Sequence, residues 1–410
     1  MKLASLATLL LTSSVLADKA LVGYFPNWLY ATWPLTNIDF NKYTHINYAF
    51  AIMYQELSPV WPDDWSNRHQ MGELVSAAHA SNTKVLISIG GWSGCLTFSP
   101  MVASPDGRTQ FINWVTTQLD STQADGVDID WEYPGKVGAG CNQFDIEHDR
   151  GNYLTLIQEL RSELDKKFGE GKKEISIAAH VRTFVTPDGY MADVSEFAKV
   201  IDRFNVMTYD INGAWNSTSG PNAPFNFEPG FGDADSYVSG IENWMKAGVP
   251  ASKIVPGLAF YGRSSKLVPN RENTGTQYQA QKAGDVPHGD SHDANWQDAY
   301  CYKDPASLSG VWRYGNLRSQ GVLTTPTTAS APWVRTWDNI TQTPWLVDPG
   351  NNIFISYDDP KSIGIKVDHA LCLDLGGVMV WSVDEDTTDG ELLTVAHRIR
   401  TDSKPAVCPQ

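Results

Sequence analysis

Residues 125–134 read Asp-Gly-Val-Asp-Ile-Asp-Trp-Glu-Tyr-Pro, which sets acids on alternate residues at Asp128, Asp130 and Glu132. In a strand, side chains at i, i+2 and i+4 share a face, so neighbouring carboxyls would stand roughly 6 to 7 Å apart on one side. Val127, Ile129 and Trp131 would fill the other. Acids at that spacing resist ionising together. They raise one another's pKa values and share protons, which is how a carboxyl stays protonated near neutral pH. Two blander readings compete. An edge strand could solvate an acidic face, although the opposite face here is large and apolar and Gly126 stands at its start. Carboxylates also suit a hard cation, but a straight strand does not wrap an ion, and His180 is the one candidate partner near by.

The chain around this stretch has 410 residues, room for a large barrel with an insertion or for two or three ordinary domains. Its 31 basic and 47 acidic residues give a net charge of −16. That balance repels nucleic acid and anionic membrane surfaces and leaves a neutral polysaccharide unopposed. Residues 1–17 carry Lys2, an apolar run through Leu9, Leu10 and Leu11, and the ending Val15-Leu16-Ala17, the pattern of a cleaved secretory signal with a mature start at Asp18. The run is short for a membrane anchor and is broken by Thr12, Ser13 and Ser14; no later stretch is long enough to span. A secreted, extracellular protein is expected. The five cysteines then suggest up to two disulfides with one thiol left over. Cys95 and Cys141 both follow strands by a few residues, in loops a barrel would gather on one face, and are the preferred pair. No zinc-type spacing occurs, and neither a metal nor a cofactor is expected.

Apolar runs predict strands at the segment from Ala20, at 46–50, 84–89, 174–179, 203–207, 254–259 and 377–381, besides the acidic one. Helical spacing appears at 69–80, 147–168, 191–200, 235–247 and 391–400. Eight short strands alternating with helices imply an α/β fold, a closed parallel (β/α)8 barrel. About 90 residues between Tyr261 and Tyr357 break the rhythm, too many for a structureless loop, and are read as a small α+β insertion between strands seven and eight.

Barrel active sites are built at the carboxyl ends of the strands, which marks Tyr24, Phe50, Gly91, Trp92, Glu132, Tyr209, Tyr261 and Trp381 by position alone. Sugar rings stack their C–H faces on aromatics, and Trp28, Trp92, Trp215 and Trp381 are all predicted near the rim. For any single Trp core packing is the simpler account, but four at strand ends point to a saccharide cleft.

Here the chain resembles glycoside hydrolase family 18, the chitinases and their relatives, whose signature Asp-Gly-x-Asp-x-Asp-x-Glu lies on the fourth barrel strand. Asp125, Gly126, Asp128, Asp130 and Glu132 match it without a gap. Ser88-Ile89-Gly90-Gly91-Trp92 resembles the third-strand motif and Met207-Thr208-Tyr209-Asp210 the sixth. Tyr261-Gly262-Arg263 resembles the segment after the seventh, and Gly376 to Trp381 the eighth. The resemblance runs from about residue 20 to residue 400. It implies a barrel over 18–263 and 353–402, with an insertion over 264–352 that deepens the cleft. It implies hydrolysis of chitin or chito-oligosaccharides by a monomer, with the substrate's own acetamido group as nucleophile. Glu132 would be the acid, Asp130 would orient the acetamido group, Asp128 would hold or exchange a proton with Asp130, and Tyr209 would donate to the acetamido oxygen. Met207, Asp210, Trp215 and Arg263 would bind sugar, and Trp381 would form the floor. A chitin-binding lectin on the same barrel and an endo-β-N-acetylglucosaminidase acting on N-glycans share these features and stay as alternatives. Asn216 and Asn339 head glycosylation sequons, of which the second, away from the site, is the more credible.

Overall fold

The computed structural model describes residues 19–29, 32–63, 70–269 and 275–410. The proposed signal at 1–17 and the first residue of the helix expected at 69–80 lie outside them. Eight parallel strands close a barrel: β1 (Ala20–Pro26), β2 (His45–Ala51), β3 (Lys84–Gly90), β4 (Gly126–Asp130), β5 (Glu174–Ala179), β6 (Arg203–Val206), β7 (Ile254–Ala259) and, after the interruption described below, a last strand at Gly377–Trp381. Each is hydrogen-bonded to its sequence neighbour, and the last closes the ring between β7 and β1. Nearly every barrel residue is buried because each strand has a side-chain core inside and helices outside. Val127 and Ile129 of β4, with Trp131, turn outward into the core shared with Phe98, Phe111 and Tyr153, which sends the acids between them inward.

The helices match the predicted positions with trimmed ends: Met71–His79, Asp149–Phe168, Ser195–Val200, Tyr237–Lys246 and Glu391–Ala396, the last followed by a separate turn at Arg398–Thr401. Two long ones fall where no helical spacing was assigned. Pro105–Thr122 starts on Ser104, whose side chain accepts from Gly107 N, and Pro360–Cys372 starts on Asp359, which forms a capping box with Ser362.

Between β7 and the closing strand, five antiparallel strands form a separate sheet: β8 (Tyr261–Lys266), β9 (Val311–Arg313), β10 (Val334–Trp337), β11 (Pro344–Asp348) and β12 (Ile353–Ser356), in the order β9-β8-β12-β11-β10. The closing barrel strand is therefore β13. With the helix Tyr314–Ser319 this segment is α+β, and its sheet reaches past the expected 264–352 limits at both ends. Because β8 follows β7 after a single residue, the sheet rises directly from the barrel's carboxyl-end face.

The cysteines correct one expectation. Cys141 pairs with Cys301 and Cys372 with Cys408, leaving Cys95 as a buried free thiol. Cys95 fails to meet Cys141 because its sulfur points down into the β3–β4 seam, 3.1 Å from the carbonyls of both Gly91 and Asp130. Cys141 instead faces the insertion.

Candidate active site

Asp128 is wholly buried within the barrel and saturated with donors. Tyr24 Oη (2.8 Å) and Ser88 Oγ (2.7 Å) donate to its Oδ2, and Ser176 Oγ (2.6 Å) and Asn205 Nδ2 (3.1 Å) to its Oδ1. Burial nevertheless raises its pKa, the hydroxyl donors opposing the shift. One step along the same face, Asp130 has a buried Oδ1 with no hydrogen-bond partner among the described residues. Burial first, then the charges of Glu132 and Asp128, hold its pKa well above the usual carboxylate range. Glu132 lies at the open end of this row. Burial pushes its pKa up to about 7, with a hydrogen bond from Tyr133 pulling the other way and Asp210 adding to the rise. A carboxyl with that value is half protonated near neutral pH, as a general acid needs.

The backbone that carries Glu132 is tied from below. Its N–H points at the Cys95 sulfur at 3.3 Å, and its carbonyl accepts from Asn142 Nδ2 at 3.1 Å, a side chain that also reaches the Trp92 carbonyl. Gly90 and Gly91 have φ of +116° and +79°. A Cβ on Gly90 would fall 2.1 Å from the Asp130 carbonyl, and one on Gly91 2.6 Å from the Phe50 ring. Both positions therefore need glycine for conformation and for space. Gly91 contributes by letting Phe50 approach.

Opposite the acids, Tyr209 stands edge-on to Tyr261 at 6.0 Å, and its hydroxyl contacts the Met379 sulfur at 3.5 Å. Burial and the nearby charges of Asp130, Asp210 and Glu132 keep that phenol protonated, hence a donor. Asp210, at φ +58°, is gripped by Tyr261 Oη (2.6 Å) and a bidentate Arg263 (2.6 and 2.8 Å). The Arg263 guanidinium lies 5.1 Å from the centre of the half-exposed Trp215 ring. Trp381 stacks on Phe50 (5.9 Å, 15°) and leans on Tyr24 (5.6 Å). Tyr24 is 1% exposed, so it serves this floor from beneath. Trp28 and Trp92 are more than half exposed.

A cavity of about 300 Å³ opens beside Glu132 and joins it to Met207, Tyr209, Asp210 and Trp215. The residue pattern had not marked several of its other lining groups: Tyr133, Lys136, Arg182, Tyr190, Asp233 and Asp235. Apart from Tyr190, on the short strand Gly189–Tyr190, they sit on loops, and only Asp235 falls within a stretch of helical spacing. Ser176 and Asn205 were also passed over, although they are inward-facing polar residues of β5 and β6, each two residues after the inward-facing Glu174 or Arg203, and this alternation of polar residues is a readable signal. His180 lines the same cavity, its pKa lowered to about 3 by burial, Lys136 and Arg182, so it is neutral at working pH. Among the described residues no cluster of three His, Cys, Asp or Glu is placed to hold a metal ion.

Comparison with known proteins agrees with this geometry. The family model "Glycosyl hydrolases family 18" matches residues 20–386. A "chitinase-like effector" of Moniliophthora roreri is 32% identical over 96% of both chains. Among solved structures, a chitinase of Rhizomucor miehei superposes with a TM-score of 0.84 at 30% identity, covering 93% of this chain and 100% of that one. The Ostrinia furnacalis Group IV chitinase, solved with allosamidin, gives 0.78 at 26% identity, covering 95% and 100%. With its acids inside a closed eight-stranded barrel and a family match over most of its length, the chain belongs to glycosyl hydrolases family 18.

Proposed function

We propose that this protein is a secreted chitinase that cleaves β-1,4-linked N-acetylglucosamine polymers with net retention. The observation that carries the reading is Glu132, a buried carboxyl with a pKa of about 7 at the edge of a cavity, beside Asp130, whose own pKa burial and the neighbouring acids raise. Protonated Glu132 gives its proton to the glycosidic oxygen as the C1–O bond breaks. The 2-acetamido carbonyl oxygen closes on C1, forming an oxazolinium ion. Water, losing its proton to the Glu132 carboxylate, then opens that ring. The unpartnered Oδ1 of Asp130 is free to accept the acetamido N–H and to stabilise the positive charge that develops. Tyr209 donates to the acetamido oxygen and fixes its line of attack. Asp128 and its four donors hold Asp130 in register and take part in the shared proton.

The names of the relatives support this substrate, and two disulfides suit an oxidising compartment. Because the Moniliophthora roreri relative is called chitinase-like rather than a chitinase, a second reading is a cleft that binds chito-oligosaccharides without cutting them. The intact row Asp128, Asp130 and Glu132 favours hydrolysis. Incubation with chitin oligomers and with a high-mannose glycoprotein separates these readings from an N-glycan-cleaving activity: shortened oligomers with untouched glycoprotein is the expected result. Efficient cleavage of fully deacetylated chitosan, or a sugar trapped covalently on Asp130, would contradict acetamido assistance.

A further inference from the structure

A loop of the insertion reaches across the barrel mouth and is locked to its far side. Reciprocal backbone hydrogen bonds between Trp296 and Ser307 (3.0 and 3.2 Å) close its base. The base is pinned to the insertion sheet through Asp293, which accepts from Gly289 N and Gly310 N, and through Asp290, which binds Arg313 of β9. At the tip, Cys301 is bonded to Cys141 on the loop that follows Glu132, and the Asp304 carboxylate accepts from Gly140 N at 3.1 Å. Tyr300 packs edge-on against Tyr54, just past β2, at 5.1 Å, and joins the apolar group that contains Phe50 and Trp381.

Topology fixes the path this loop takes. It starts from the sheet that rises beside β7 and ends at the loop after β4. Around the closed barrel those points are separated by β6 and β5 on one side and by β13, β1, β2 and β3 on the other. The contact with Tyr54, and packing against the apolar group to which Phe50 belongs and on which Trp381 also packs, put the crossing on the second side, over the aromatic floor. The cavity beside Glu132 draws its walls from residues after β4, β5 and β6, so it opens on the first. One half of the mouth is bridged and the other is open.

We infer that the Trp296–Ser307 loop, sealed by the Cys141–Cys301 bond, is a fixed bridge over the Phe50–Trp381 half of the cleft, so that a polysaccharide reaches the acids by threading a chain end rather than by lying in from above. This rests on the chitinase reading. A chain lying on the floor beside Trp381 would pass beneath Tyr300, and release would require it to slide out lengthwise. The specificity that results is for chain ends and for slow dissociation.

The test compares the wild type with Cys141→Ser/Cys301→Ser and, separately, with Tyr300→Ala, which keeps the disulfide. Thermal melts identify any variant that fails to fold. On glycol chitin, viscosity is followed against new reducing ends. The wild type should form many reducing ends for little loss of viscosity, and either folded variant should shift the ratio several-fold toward internal cuts. In a Glu132→Gln background, dissociation of labelled oligomers should quicken by about tenfold or more when the bridge is opened, since changes at one binding surface act mainly on off-rates. Random internal cutting by the wild type, or an unchanged ratio and off-rate in both variants, would overturn the bridge. Absence of hydrolysis in every protein would instead overturn the chitinase reading, and the off-rates would still decide the bridge.

Discussion

Tyr24 Oη on β1 donates to Asp128 Oδ2 on β4 at 2.8 Å, joining two strands that lie three places apart in the barrel wall. The bond crosses the barrel interior beneath the reacting row. Ser88 reinforces it from β3, while Ser176 on β5 and Asn205 on β6 hold the other oxygen. Asp128 is therefore an acceptor for donors from four other strands.

Replacing Asp128 with Asn keeps the shape but adds two N–H groups where only donors now point. Leaving a buried group mispaired costs about 1–3 kcal/mol, so Asp128→Asn should lower stability by that order in urea unfolding. Its kcat should fall further than its binding of oligomers, because Asp130 loses its charged neighbour. Unchanged stability would mean that the hydroxyls simply rotate to accept.

The raised pKa of Glu132 makes a stability prediction with a definite sign. Unfolded, the group ionises near 4.5; folded, near 7. Below the unfolded value it carries no penalty. As pH rises through that window the unfolded state releases its proton first, so stability declines until about pH 7 and is then flat. The full difference is about 3 kcal/mol. Glu132→Gln removes it and should raise the melting temperature at pH 8 relative to wild type much more than at pH 4. Turnover should instead fall as pH rises through and above about 7, where the folded acid loses its proton. Equal melting shifts at both pH values would place the burial penalty elsewhere.

Arg263 holds Asp210 with two parallel bonds and lies against the exposed Trp215 ring. Lys offers neither the fork nor the flat face. Arg263→Lys should let Trp215 move and raise KM for oligomers by roughly tenfold, the scale of one lost charge-assisted hydrogen bond, with a smaller change in kcat. Steady-state kinetics on a tetramer series checks this. A loss confined to kcat would put Arg263 in the chemistry.

The barrel and its acid row were legible because both rest on strict periodicity. Val127, Ile129 and Trp131 are large and apolar, so the acids between them had one way to face. The helix at Pro105–Thr122 escaped because Gly107 and Thr116 interrupt its buried face and dilute its apolar pattern; its Ser-Pro start was the better signal. The disulfide partner of Cys141 was not legible, since Cys301 is 160 residues away and only the fold of the insertion brings it back. The wall formed by Arg182, Tyr190 and Asp235 is likewise assembled by the connections after β5 and β6, one of them carrying the short strand Gly189–Tyr190, rather than by any periodic run.

The proposed hydrolysis of chitin stands or falls on Glu132 as the proton donor. The most direct measurement is turnover of an N-acetylglucosamine hexamer by wild type and Glu132→Gln, with binding to each followed by calorimetry. Wild-type hydrolysis is expected, with a loss of at least about a hundredfold in the variant, within the range for removing a general acid, and with oligomer binding retained. Binding without hydrolysis by the wild type, or near-normal hydrolysis by Glu132→Gln, would contradict it.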